Sequence, residues 1–143
     1  MSRILILITV TLLLSCHRYQ LSFNERSMYE PPNPYSDYKI LDVALNSCVS
    51  QTIGDQYIVS ADQLYSLDCS YGGIYDLSGL AHFNQLEILN LSNNNLRDIK
   101  PLMFLGRLDN VNLQGNDSLP WDDLEILREL ISGELSPPET CLN

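Results

Sequence analysis

Two histidines, four cysteines and 18 carboxylates are the groups in this 143-residue chain that could do chemistry, and their spacing decides how much. His17 and His82 each stand without a partner at a spacing that suits a metal site or an activated nucleophile. His82 therefore reads as a surface residue. Gly72-Gly73 lacks the lysine and the further glycines of a phosphate-binding loop. Asp122, Asp123 and Glu125 have the charge to hold a cation, but they are more simply first-turn acids of a helix, where the dipole favours them. Asn90-Leu91-Ser92 and Asn116-Asp117-Ser118 match glycosylation acceptor sites because the chain's own periodicity supplies Asn and Ser. No catalytic residue, metal ligand or cofactor is assigned on this basis, and an enzyme is the least supported class.

The charge excludes another class. Eight basic residues against 18 acidic ones give a formal charge of −10. Nucleic-acid binding needs clustered Lys and Arg. Here Arg18, Arg26, Lys39, Arg97, Lys100, Arg107 and Arg128 are scattered singly, so no nucleic-acid partner is expected.

The cysteines point outward from the cell. MSRILILITVTLLLSC opens with Arg3 and an apolar or Thr run from Ile4 to Leu14, short for a membrane span and right for a secretory signal core. It closes on Leu13-Leu14-Ser15-Cys16, which resembles a bacterial lipobox. That resemblance implies cleavage before Cys16, acylation of Cys16, and residence in the bacterial cell envelope on the outer or another periplasm-facing membrane. Leu14 departs from the usual small residue, and an ordinary signal peptide is the other reading. Residues 1–15 are thus read as a signal peptide and 16–36 as a lipid-anchored tether. Cleavage would remove Arg3 and leave a side-chain charge of −11. Cys48, Cys69 and Cys141 remain, an odd number that leaves at least one thiol free or paired between molecules.

The tether, HRYQLSFNERSMYEPPNPYS, shows neither hydrophobic period, and Pro31, Pro32 and Pro34 exclude a helix near its end. Tyr19, Phe23, Tyr29 and Tyr35 sit in it at irregular spacing and make it a mildly sticky linker. Residues 37–63 read as an N-terminal cap. Ile40, Val43 and Ala44 have the i, i+3, i+4 spacing of a short one-sided helix. Gly54-Asp55 marks a turn, Tyr57-Ile58-Val59 a short strand, and Ser60 with Gln63 a capping box.

Residues 64–132 repeat. Units of 22 residues begin at Leu64, Leu86 and Leu108, and the same columns are apolar in each: Leu67, Leu89 and Val111; Cys69, Leu91 and Leu113; Leu80, Leu102 and Leu124; Phe83, Leu105 and Leu127. Leu-x-Leu puts two side chains on one face of a short strand. One unit cannot bury that face alone, so the units must stack, their strands forming a parallel sheet. Asn94 and Asn116 can turn their amides onto neighbouring backbone as a ladder between turns of the stack.

LEILNLSNNNL, with Asp98-Ile99-Lys100-Pro101-Leu102 after it, resembles the leucine-rich repeat, in its bacterial, internalin-like 22-residue class. Gly72 replaces the ladder Asn in the first unit, and Ser118-Leu119 shifts the third by one residue. The resemblance implies an α/β solenoid: about three repeats, a helical N-terminal cap and a C-terminal capping helix. For the last, Asp122 is a cap residue, Leu124, Leu127 and Ile131 form the inner stripe, Gly133 is the stop, and Trp121 covers the open edge. Residues 133–143 read as an irregular tail. Cys69 stands in an inward column, so a buried free thiol is expected there. A bridge from Cys48 to Cys69, tying the cap to the first unit, is an alternative that export permits, and one from Cys48 to Cys141, which would have to span the stack or use the tail, is another.

What remains for function is the strand face. Its non-leucine positions are Ser66, Asp68, Ser70 and Tyr71; Glu87, Ile88, Asn90, Ser92 and Asn93; and Asp109, Asn110, Asn112 and Gln114. In the family this concave face commonly binds proteins or peptides, with Tyr71 and Ile88 as the natural anchors here. The expectation is a non-enzymatic, lipid-anchored binding module for a protein or peptide. A periplasmic inhibitor or immunity-type protein that neutralises a basic partner is one alternative, a structural envelope lipoprotein another.

Overall fold

The computed structural model describes residues 30–139 and, upstream, strand residues 22–23 and 26–27. The expectations for the leader and for Cys16 lie outside the described residues. The chain divides into two units, Met1–Pro32 and Asn33–Asn143. In the first, β1 (Ser22–Phe23) pairs antiparallel with β2 (Arg26–Ser27). The segment read as a plain linker thus holds a hairpin whose two-residue strands are too short to register as a hydrophobic period.

The second unit begins before residue 37. Tyr35 already belongs to it: its backbone N–H donates to Ile58 O at 2.9 Å, and its ring lies against Tyr38, His82 and Phe83. The tether therefore ends earlier than its composition suggests.

Helix α1 spans Val43–Asp55. Asp42 caps it, its carboxylate accepting from Leu45 N at 2.9 Å. The buried face is Leu45, Val49 and Ile53, one residue per turn. This corrects the expected face: Val43 is 81% exposed, and Ile40 is buried but precedes the helix. Gly54-Asp55 does not make a separate turn either, being the helix's last two residues. The helix ends in a reversal in which Ile58 N donates to Ile53 O and Tyr57 takes the left-handed conformation at φ 55°. Tyr57-Ile58-Val59 is consequently no strand; Ile58 alone turns into the core. Ser60 makes no side-chain cap bond to the short 3-10 turn Ala61–Gln63, although Gln63 Oε1 accepts from Val59 N at 2.9 Å.

Four strands follow in parallel: β3 (Ser66–Asp68), β4 (Ile88–Asn90), β5 (Asn110–Asn112) and β6 (Leu135–Ser136), adjacent in that order. Leu67, Leu89 and Val111 align, and each is buried between two outward neighbours. That is what a spacing of 22 residues with period-two alternation dictates. Between strands the chain returns through 3-10 turns, Leu80–His82 and Lys100–Phe104, whose Leu80 and Leu102 enter the core from the side opposite the strands. The shifted Leu119 is still buried, and the columns are regained at Leu124 and Leu127. The result is a small α/β domain, its four-stranded parallel sheet alternating with short helical turns and flanked by two helices.

Helix α2 (Trp121–Leu130) takes the place of the third return turn. Its N-cap is Pro120, without a side-chain cap bond, so Asp122 stands inside the first turn with Asp123 and not at the cap. The helix stops at Leu130. Gly133 serves a different need: a Cβ there would lie 2.6 Å from Asp109 O. Trp121 stays half exposed, lining a shallow crevice with Leu124 and Arg128. The tail is not irregular throughout. Residues 135–136 form β6, with Val111 N donating to Glu134 O and Leu113 N to Ser136 O, both at 2.8 Å.

Cys48 and Cys69 form a disulfide with Cα atoms 5.8 Å apart, so Cys69 is not a free thiol. No earlier coil supplies a leucine against this end of the core. Helix α1 lies there instead, and Cys48 on it meets Cys69.

Candidate functional site

The strand face is built from three repeating columns, each with its own backbone duty. In the first, Ser66, Ile88 and Asn110 stand side by side. Ile88 is 51% exposed at the centre, an apolar side chain between two polar ones.

The second column is Asp68, Asn90, Asn112 and Ser136. Each of the first three accepts a hydrogen bond from the backbone two residues on: Asp68 Oδ1 from Ser70 N, Asn90 Oδ1 from Ser92 N, and Asn112 Oδ1 from Gln114 N, at 3.0–3.1 Å. Short polar side chains fold onto their own backbone in this way as a chain leaves a strand. Asn90 Nδ2 also donates to Asp68 Oδ2 at 3.0 Å, joining the first two strands. Hydrogen bonds from the N–H and hydroxyl of Ser70, with a further one from Asn90, hold the Asp68 carboxyl below the ordinary range although partial burial opposes them. Asp68 is therefore ionised at neutral pH.

The third column is Tyr71, Asn93 and Gly115, all left-handed, with φ of 56°, 56° and 73°. Asn and Gly adopt this conformation readily; a tyrosine does so only under constraint. Tyr71 is 79% exposed all the same, so its ring is held out in solvent. Gly115 has a second reason, since a Cβ there would come within 2.6 Å of Asn93 Oδ1.

Below the face runs the Asn ladder. Asn94 Nδ2 donates to Cys69 O and Leu91 O, both at 2.9 Å, and its Oδ1 accepts from Ile74 N at 3.0 Å. Asn116 repeats this one coil on, with Leu91 O, Leu113 O and Leu96 N. At Gly72 a side chain would meet Ile74 and Asn94 Oδ1. The first coil takes its polar support from Asp42, which is buried and accepts from Tyr75 N and Asp76 N at 3.0 and 3.1 Å. Among the described residues, every buried side-chain nitrogen and oxygen is satisfied.

Of the expected face residues, Ser66, Asp68, Tyr71, Ile88, Asn93 and Gln114 are exposed, and Ser70, Glu87, Asn90, Asn110 and Asn112 are half-buried. Ser92 is the correction. It is only 6% exposed, because its carbonyl accepts from Tyr71 N at the point where two coils meet. What the sequence did not disclose is β6, which adds Glu134 and Ser136 beside Asn110 and Asn112. Two residues of strand before Pro137-Pro138 offer no period to detect.

Among the described residues the face carries Asp68, Glu87, Asp109 and Glu134 and no lysine or arginine; Arg107 reaches Glu87 from the preceding loop, at 3.9 Å. Among the described residues no three His, Cys, Asp or Glu side chains are grouped to hold a metal, and no helix is long and apolar enough to cross a membrane. Comparison with family models, with curated proteins and with solved structures finds no match to this chain.

Proposed function

We propose that this chain is a short leucine-rich-repeat protein of the bacterial, internalin-like type, exported and anchored through an acylated Cys16. It acts without catalysis, holding a partner protein or peptide on its strand face. The observation that carries this reading is the pair of apolar contacts displayed there, Tyr71 in a conformation costly for its side chain and Ile88 at the centre of the sheet. Exposed aromatic and aliphatic groups on a rigid, hydrogen-bonded frame are what an interface needs as anchors.

A second reading, an inhibitor-type protein for a basic partner, draws support from the carboxylates on this face. It shares the face and differs in what dominates the energy. Capture of partners from an envelope extract by immobilised protein tests both. Loss of the captured protein in the Tyr71→Ala, Ile88→Ala double variant is expected for the leading reading. Undiminished capture by that variant, with release between about 0.1 and 0.5 M salt, would favour the second.

A further inference from the structure

The return side of the domain carries an apolar stripe that the strand-face reading does not use. His82, Phe104 and Ile126 occupy one position in the three successive repeats. The columns before and after them, Leu80, Leu102 and Leu124, and Phe83, Leu105 and Leu127, are all buried. The residues between therefore stack on the outside, across the core from the strands. Phe104 is 75% exposed, Ile126 and His82 are exposed, and Leu130 follows Ile126 by one helical turn. At the first rung the chain itself adds a ring: Tyr35 stacks on His82, ring centroids 5.9 Å apart and planes within 16°, and His82 stays exposed beside it.

That contact says what the remainder faces. Tyr35 is where the N-terminal segment reaches the domain, and Cys16 lies only nineteen residues upstream. The segment that starts at Cys16 enters the domain on this side, so an acylated Cys16 would draw this side toward the bilayer. The charges agree with a zwitterionic surface. Lys100, Arg107 and Arg128 lie within four residues of Phe104 or Ile126, but α2 also carries Asp122, Asp123, Glu125 and Glu129. Aromatic and aliphatic side chains with polar borders suit the headgroup boundary.

We propose that Tyr35, His82, Phe104, Ile126 and Leu130 form a membrane-seating surface that lays the return side on a zwitterionic bilayer and turns the strand face away from it. The inference rests on the anchoring of Cys16, and the experiment separates the two. Among the described residues the hydrophobic core lies within 33–139, so the chain from Cys16 onward can be tethered by a hexahistidine tag at its start to vesicles bearing nickel-chelating lipid. This attachment needs no acylation.

The chain has one tryptophan, Trp121. Trp121→Phe with Phe104→Trp moves the only indole into the stripe, and Trp121→Phe with Ile88→Trp moves it onto the strand face. With phosphatidylcholine brominated in its acyl chains, the indole at 104 is expected to lose at least half its fluorescence while that at 88 changes little. Adding phosphatidylglycerol is expected to weaken the quenching, because the chain is acidic. Equal quenching at the two positions, or none at 104, overturns the proposal. So does a blue shift at 104 that needs no vesicles and grows with protein concentration, since the stripe would then join two copies. Palmitate labelling of wild type against Cys16→Ala judges the anchor separately.

Discussion

Asp42 is buried and accepts three backbone hydrogen bonds, one from the helix it caps and two from the first coil. Burial pushes its pKa up, but the N–H donors of Leu45, Tyr75 and Asp76 together outweigh this and hold the carboxyl below its ordinary value. The sign follows: its stabilisation is complete above the unfolded pKa, about 3.9, and is lost as pH falls through the depressed folded value. Asp42→Ala should cost about 3 kcal/mol at pH 7, read from urea denaturation, because three buried donors lose their acceptor. A loss below about 0.5 kcal/mol would mean that water replaces the carboxylate. Asp42→Asn should flatten the acid limb of stability against pH. Tyr71 predicts the opposite pattern. Tyr71→Asn should raise stability by about 1 kcal/mol, because Asn tolerates the left-handed conformation, yet it should abolish partner capture. A variant that is stabilised and still captures would show that the ring contributes nothing to recognition. These residues were unequally legible. The ladder Asn94 and Asn116 stand out because stacking forces them to recur, whereas Asp42 acts once. Its only trace is an acid directly before the apolar run of α1, the signature of an N-cap.

At the scale of elements, β3, β4 and β5 are readable because each buries one alternating face, and the 22-residue spacing fixes their register. Elements that occur once were not. Ile40 precedes the helix and mimics its first apolar position, which shifts the expected buried face of α1 away from Leu45, Val49 and Ile53. β6 is two residues long and cannot display a period. The disulfide depends on how α1 lies over the first coil, which spacing alone does not disclose. It closes a loop of sequence separation 21, and so should contribute about 3 kcal/mol by restricting the unfolded chain. Dithiothreitol should therefore lower the urea midpoint of the wild type to that of Cys48→Ser and leave the variant unmoved. If reduction left the midpoint where it was, the cap would be held by Leu45, Val49 and Ile53 alone.

Over the whole molecule, each coil completes the polar requirements of the one before it. Cys69 N donates to Asn90 O, Leu91 N to Asn112 O, and Leu113 N to Ser136 O, while Asn94 and Asn116 tie successive coils from within. In a long solenoid such nearest-neighbour coupling lets an end fray while the middle stays folded. Here no coil is more than one away from a cap, and β6 is the last link. Deleting residues 133–143 removes the acceptors of Val111 N and Leu113 N and uncovers the edge of β5. Because the remaining coils are too few to hold a core against that loss, the effect should reach the far end of the sheet. Amide hydrogen exchange is the measurement: protection of Leu67 and Cys69 in and after β3 should fall together with that of Val111 and Leu113, in one cooperative unit. If protection fell only around β5, the coils would be energetically separate. The disulfide at the opposite end would then be acting as a local clamp, with no share in the stability of the whole stack.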